Sequence, residues 1–351
     1  MSKAGKSRLI RTAVLAVLGI AVLAIFLAFF ADIEGLQKAI LSVNPLWYTA
    51  AFISVTVGVV FYTLSWTVIL RAAGIRLGFK DALSFIWVSV FFNLLIPTGS
   101  VSGEAARAYL TVRRSESDTA LVLATIMSHR VITLIPFIVG SSVGLFHLAY
   151  EYNVSGAVLD ALILVVAVFN LAFLVTLYLV VKPEKTMSLA GLTVRLARLI
   201  SRRRFGGEGF RNRVYGWFDE FKNGLKFIRD RPKALIASTF AAFLFWICDV
   251  MVAFLTFRAL GVTVPLPIVI TVYTIGITLQ MIPIGIPGMV GPVEVAMITL
   301  YSNAGVNETI STAATILIRL VMLWYMMAVG AVVTYGSKAS REEIQKALAA
   351  S

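Results

Sequence analysis

The chain alternates long apolar stretches with short polar ones, and most of those stretches are long enough for a helix that crosses a bilayer. They occupy residues 9–31, 45–71, 82–96, 119–149, 154–181, 233–260, 264–282 and 307–335. The pattern predicts an all-α polytopic membrane protein with about eight transmembrane helices. Two places break it. Residues 97–109 read Pro97-Thr-Gly99-Ser-Val-Ser-Gly103-Glu104-Ala-Ala-Arg107-Ala-Tyr109. Residues 283–294 read Pro283-Ile-Gly285-Ile-Pro287-Gly288-Met-Val-Gly291-Pro292-Val-Glu294, and the next run carries Tyr301. In each, Pro and Gly interrupt an apolar run and a glutamate stands at the start of the next. Lipid cannot satisfy the backbone groups freed by such breaks, so two re-entrant half-helices are expected, buried in protein or lining a wet cavity.

The breaks sit inside a longer internal match. Arg71-Ala-Ala-Gly74 aligns with Arg258-Ala-Leu-Gly261, Asp118-Thr119 with Glu308-Thr309, and Ala124-Thr125-Ile126 with Ala314-Thr315-Ile316. Arg130 and Arg319 follow within one residue of register. Charge then sets orientation. Lys3, Lys6, Arg8 and Arg11 precede the first run, and fourteen Lys and Arg lie between Lys182 and Lys233. Basic segments mark the cytoplasmic side. Placing all of them inside requires 98–112 to carry the chain back inward, which makes the two halves inverted repeats. The expected organisation is a single membrane domain. It comprises a first helix 9–31, repeat one 45–149, a linking helix 154–181, a cytoplasmic loop 182–232, repeat two 233–336 and a tail 337–351. The weakly charged 32–44 segment reads as an outer loop. Both termini are expected in the cytoplasm and the protein in the cell membrane.

Composition agrees: 59% of residues are hydrophobic and 14% charged. The net charge of +13 is not a nucleic-acid signal, because the basic residues cluster in loops where they would meet anionic headgroups. Within 182–232, Leu189, Leu192, Leu196 and Leu199 oppose Arg195, Arg198 and Arg202. Val214, Trp217, Phe218, Phe221, Leu225 and Ile228 form a second apolar stripe. These read as interfacial amphipathic helices. A single cysteine, Cys248, excludes an internal disulfide, and His129 and His147 are too few and scattered to suggest a metal site.

Ionisable groups at membrane depth are costly and mark function by default. Glu104 and Glu294 each fall in the first turn of a half-helix, where a carboxylate can also cap the helix. Ser102 suits an N-cap and Pro292 the first helical position. Arg107, three residues after Glu104, shares its face and can neutralise it or hold a phosphate. Arg130 and Arg319 are expected to pair with a glutamate or a substrate anion. Asn93 and Gln280 precede the breaks and can donate to freed carbonyls. Tyr109, Tyr301 and Asp249 are lesser polar candidates. The breaks themselves rest on Pro97, Gly99, Gly103, Pro283, Gly288, Gly291 and Pro292. No nucleotide loop, nucleophile elbow or metal pattern stands in the chain, so no enzymatic activity, cofactor or metal is expected.

The motif Pro-x-Gly-x-x-x-Gly-Glu-x-x-Arg-x-Tyr-Leu, met by Pro97 to Leu110, resembles the signature of the lysylphosphatidylglycerol synthase transmembrane-region, or flippase-like, family. Pro283 to Glu294 resembles its second, Gly-rich motif, with a slightly longer spacing. The resemblance spans roughly residues 10–336. It implies a stand-alone membrane region without the soluble aminoacyltransferase domain, moving a phospholipid or polyprenyl-phosphate-linked lipid between leaflets. On that reading Glu104 and Glu294 contact the headgroup while Arg107, Arg130 and Arg319 hold its phosphate. Two other functions fit the same residues: a carrier of a small ion or solute, and a membrane scaffold for a separate lipid-modifying enzyme. Membrane lipids are the expected partners under any of these.

Overall fold

A computed structural model describes residues 33–96, 101–151, 156–182, 230–280 and 286–336, with scattered positions from 191 to 226. The first apolar run, most of the basic loop and the C-terminal tail lie outside the described residues. What is described is helical, without strands.

Most apolar runs become helices close to their expected bounds: α2 (Pro45–Ala72), α3 (Phe79–Leu95), α5 (Thr119–Glu151), α6 (Gly156–Val181), α7 (Pro232–Ala259) and α8 (Leu266–Gln280). Asn44 starts α2 by accepting from the Leu46 and Trp47 amides at 3.0 and 3.4 Å. Asp118 and Asn307 cap α5 and α10 (Glu308–Arg319) in the same way.

The structure refines three expectations. The 32–44 segment is not all loop, because Ile33–Leu41 forms α1. Leu36 buries there and α1 packs against α10, while Glu34 and Lys38 complement the helix dipole at opposite ends. The second broken segment is a 3-10 turn (Pro287–Met289) followed by α9 (Pro292–Asn303). The last run is not a uniform α-helix, because α10 passes into a π-helical stretch at Leu320–Tyr325 before α11 (Met326–Gly336).

Among the described residues four helices are long and apolar enough to cross a membrane: Pro45–Ala72, Thr119–His147, Pro232–Ala259 and Glu308–Gly336. At 17 and 15 residues, α3 and α8 reach only about 25 Å or less, short of a bilayer core. Each is followed by one of the breaks.

The centre of the molecule is the pair α2 and α7, which run antiparallel. The Asn44 amide donates to the Ala259 carbonyl at 2.8 Å and Ser54 Oγ to the Cys248 carbonyl at 2.8 Å. Further on, Ser65 and Ser238 each donate to the other's carbonyl at 2.9 Å. Small and hydroxyl-bearing residues replace the hydrophobic effect as the source of helix association in lipid. The outer faces of this pair, with Ile53, Ile236 and Phe240, are exposed and apolar. Two further pairs pack closely: α3 against α11, and α8 against α5. Glycine permits both contacts. A Cβ on Gly330 would meet the Phe91 Cβ and Trp87 carbonyl at 2.9 Å, and one on Gly140 would come within 2.6 Å of the Trp246 ring and 3.1 Å of Thr274 Oγ1.

Candidate functional site

The first break delivers α4 (Val101–Ser115) against α3. The contact is too close for a side chain at Gly103, whose Cβ would stand 2.1 Å from the Ser89 carbonyl oxygen and 2.5 Å from Asn93. Asn93 instead uses that space to accept from the Gly103 amide at 2.8 Å, satisfying one of the free donors of the helix start. Ser102 is not the N-cap. It lies within the first turn and donates to the Phe92 and Ile96 carbonyls at 3.0 and 3.4 Å, tying the break back to the end of α3. Pro97 and Gly99 fall outside the described residues.

This anchoring turns Glu104 and Arg107 into the bundle. Both are buried, Arg107 completely. Their shared face brings Arg107 Nη2 to 2.5 Å from Glu104 Oε2, an ion contact without hydrogen-bond alignment. Arg107 Nη1 lies 3.3 Å from Nδ1 of His129, and the guanidinium stacks over the Trp66 ring at 4.6 Å. Tyr62 packs edge-on to His129, with ring centroids 4.5 Å apart. Arg130 is half-buried and within electrostatic range of Tyr62. Tyr109 is half-buried under the Arg113 guanidinium.

The second centre uses the same residue types differently. Gly288 and Gly291 have φ of 58° and 98°, a region open to glycine, and a Cβ on Gly288 would also strike Leu323 at 2.6 Å. With Pro292 at its first position, α9 places Glu294 in its first turn. Glu294 Oε2 accepts from the Gly291 amide at 2.6 Å, so this glutamate does cap its helix. Its other oxygen takes Arg319 Nε at 2.5 Å. Arg319 Nη1 donates to Gln280 Oε1 at 3.1 Å, and Nη2 donates to the Gly288 carbonyl. The guanidinium thus fastens α10 to the ends of α8 and α9 at once. Pro283 lies outside the described residues. Tyr301 is buried edge-on to Phe257, and its hydroxyl has no hydrogen-bond partner among the described residues. Asp249 is buried on α7 facing Gly58 of α2, a polar group between helices.

Sequence reasoning placed Arg107 with Glu104; the structure adds the grouping of Glu294 with Arg319, Gln280 and Gly288. Gln280 accepts from Arg319, as Asn93 accepts from the Gly103 amide, and among the described residues neither donates to a freed carbonyl. Sequence reasoning missed His129 and Trp66. In the alignment of Ala124-Thr125-Ile126 with Ala314-Thr315-Ile316, the residue opposite Arg319 is His129, not Arg130. That exact register was the available signal.

A family model described as the lysylphosphatidylglycerol synthase TM region matches residues 16–330. The chain belongs to this family. A UPF0104 membrane protein of Methanothermobacter thermautotrophicus is 27% identical over 336 residues, covering 95% of this chain and 98% of that protein. A second UPF0104 membrane protein from the same organism is 26% identical, covering 88% and 89%. A third, from Pyrococcus horikoshii, is 24% identical, covering 88% and 92%. Membership in the lysylphosphatidylglycerol synthase TM-region family, together with the spanning helices, makes this a membrane protein.

Proposed function

We propose that the protein is a lipid translocase, which passes the polar headgroup of a phosphate-bearing lipid between inverted repeats while the acyl chains stay in the bilayer. The observation that carries this reading is a carboxylate–arginine pair, Glu104 with Arg107, buried at a helix break of an otherwise apolar bundle. Such charges are costly inside a membrane and are retained where something polar must pass.

Several features support the inverted arrangement. The aligned helices α2 and α7 pair antiparallel through the reciprocal Ser65–Ser238 bonds. The contact of α3 with α11 has its counterpart in that of α8 with α5, and the glycines at the two contacts, Gly330 and Gly140, occupy matching positions in the alignment. The family's name, that of the membrane region of a phospholipid-modifying synthase, favours a lipid over a small solute. Nothing in this reading calls for an enzymatic step.

The test is leaflet movement of a fluorescent phospholipid in proteoliposomes. Wild-type protein should accelerate it over protein-free vesicles, and Glu104→Gln should slow it while keeping a cooperative melting transition. Protein-independent lipid movement, together with proton or cation flux that Glu104→Gln abolishes, would replace this reading with the small-ion carrier.

A further inference from the structure

We propose that the two centres are not interchangeable: the Arg107–His129 centre is a binding site for an oxyanion of the phosphate class, and the Arg319–Glu294 centre is a structural clasp. The inference deepens the translocase reading and rests on it only for the source of the oxyanion, a lipid headgroup.

All three nitrogens of Arg319 are engaged, each by an acceptor of the fold. Its Nε, Nη1 and Nη2 go to Glu294, Gln280 and the Gly288 carbonyl, and the second Glu294 oxygen holds the Gly291 amide. Arg107 differs. Its one aligned contact is Nη1 with His129 Nδ1 at 3.3 Å, and the Tyr62 hydroxyl also lies close to the guanidinium. A guanidinium has no acceptor atom, so Nδ1 must accept and the ring proton sits on Nε2. That Nε2 has no hydrogen-bond partner among the described residues; the Tyr62 carbonyl is near it but outside hydrogen-bond geometry. Nε of Arg107 likewise has none, and Nη2 has only the unaligned contact with Glu104.

Buried donors without acceptors are rare because each costs free energy. Here Nε of Arg107 and Nε2 of His129 are left unbonded around one ion contact, and the oxygens at hand, Glu104 Oε2 and those of Tyr62, meet neither in alignment. A phosphate group supplies several oxygens and suits the planar fork of an arginine, whose plane the Trp66 face already fixes. Its arrival would displace Glu104 from Nη2, exchanging one counter-anion for another. A cation finds no comparable set of lone pairs.

The chain has two histidines, so selective 15N-histidine NMR on full-length His147→Gln protein reads His129 alone. In phosphate-free maltoside micelles the ring should carry its proton on Nε2. Dioctanoyl phosphatidylglycerol should shift the Nε2 resonance saturably, and dioctanoylglycerol should not. Arg107→Lys should weaken the apparent Kd at least about tenfold, the value of one charge-assisted hydrogen bond. Arg319→Lys should lower the melting temperature and leave that Kd unchanged. A shift with inorganic phosphate as well assigns the bare oxyanion as sufficient, whereas a shift with the lipid alone assigns the headgroup. No saturable shift with either probe, an equal shift with the diacylglycerol, or equal weakening by the two lysine variants would overturn the assignment. Binding by a protein that moves no lipid would sink the translocase reading and leave this site standing; lipid movement without any His129 response would do the reverse.

Discussion

Removing the carboxylate of Glu294 should destabilise the fold more than any other single truncation at the two breaks. Arg319 is 4% exposed and Glu294 3%, so Glu294→Ala leaves a guanidinium buried without its counter-charge. Breaking a buried pair from one side costs about 3–5 kcal/mol. The same substitution strips the Gly291 amide of its acceptor, a buried donor worth about 1–3 kcal/mol by itself. The two losses share one side chain and do not simply add, so a total of about 4 kcal/mol is expected. Glu294→Gln keeps an oxygen for Gly291 or Arg319 but not the charge, and should cost less. The decisive comparison is the cycle with Arg319→Ala. The double variant buries no lone charge and should recover at least about 2 kcal/mol relative to the summed singles. Equilibrium unfolding in mixed micelles, followed by circular dichroism, supplies the four free energies. Additivity within about 0.5 kcal/mol would mean that the pair does not hold α9 to α10, and the clasp would have to be abandoned.

Other outcomes follow from contacts elsewhere. Gly103→Ala should cost at least about 2 kcal/mol, because its Cβ meets the Ser89 carbonyl oxygen, whereas Gly74→Ala, with open space around a φ of 80°, should cost about 1 kcal/mol; unfolding midpoints of the two variants check the order. Replacing Ser65 and Ser238 together by Val removes the reciprocal bonds between α2 and α7. A loss of about 1 kcal/mol is expected, modest because interhelical bonds in membranes average about 0.6 kcal/mol. For the inverted topology, a cysteine at position 114 in a Cys248→Ser background should react with impermeant reagent only from the cytoplasmic side, and one at position 37 only from outside. Labelling at 114 from outside would restore an outer hairpin after the first break.

The helices were legible because each apolar run had to bury its backbone within itself, and length alone then located most of their bounds. The breaks were legible for the complementary reason: Pro and Gly at membrane depth have few physical uses. Local composition could not show that α1 forms, because Ile33–Leu41 is too short and mixed to read as a span and its apolar face matters only once α10 is beside it. Nor could it show the π-helical stretch after Arg319. The site was legible in its charges and not in its differences. Two glutamates at matched breaks suggested two equivalent centres, yet one takes its arginine from the same helix and the other from a helix 25 residues further along the chain. The source of the arginine decides what remains unbonded. An arginine reaching across from α10 meets the ends of two helices and saturates on their acceptors. An arginine on the glutamate's own helix meets one carboxylate and faces the flat side of an indole, so its other donors stay open. The histidine that occupies Arg319's place in the first half completes that contrast, since it is a partner for Arg107 rather than a second cation competing for Glu104. Under the proposed assignment, a histidine in the place of Arg319 is what lets one break hold the fold and the other hold a ligand.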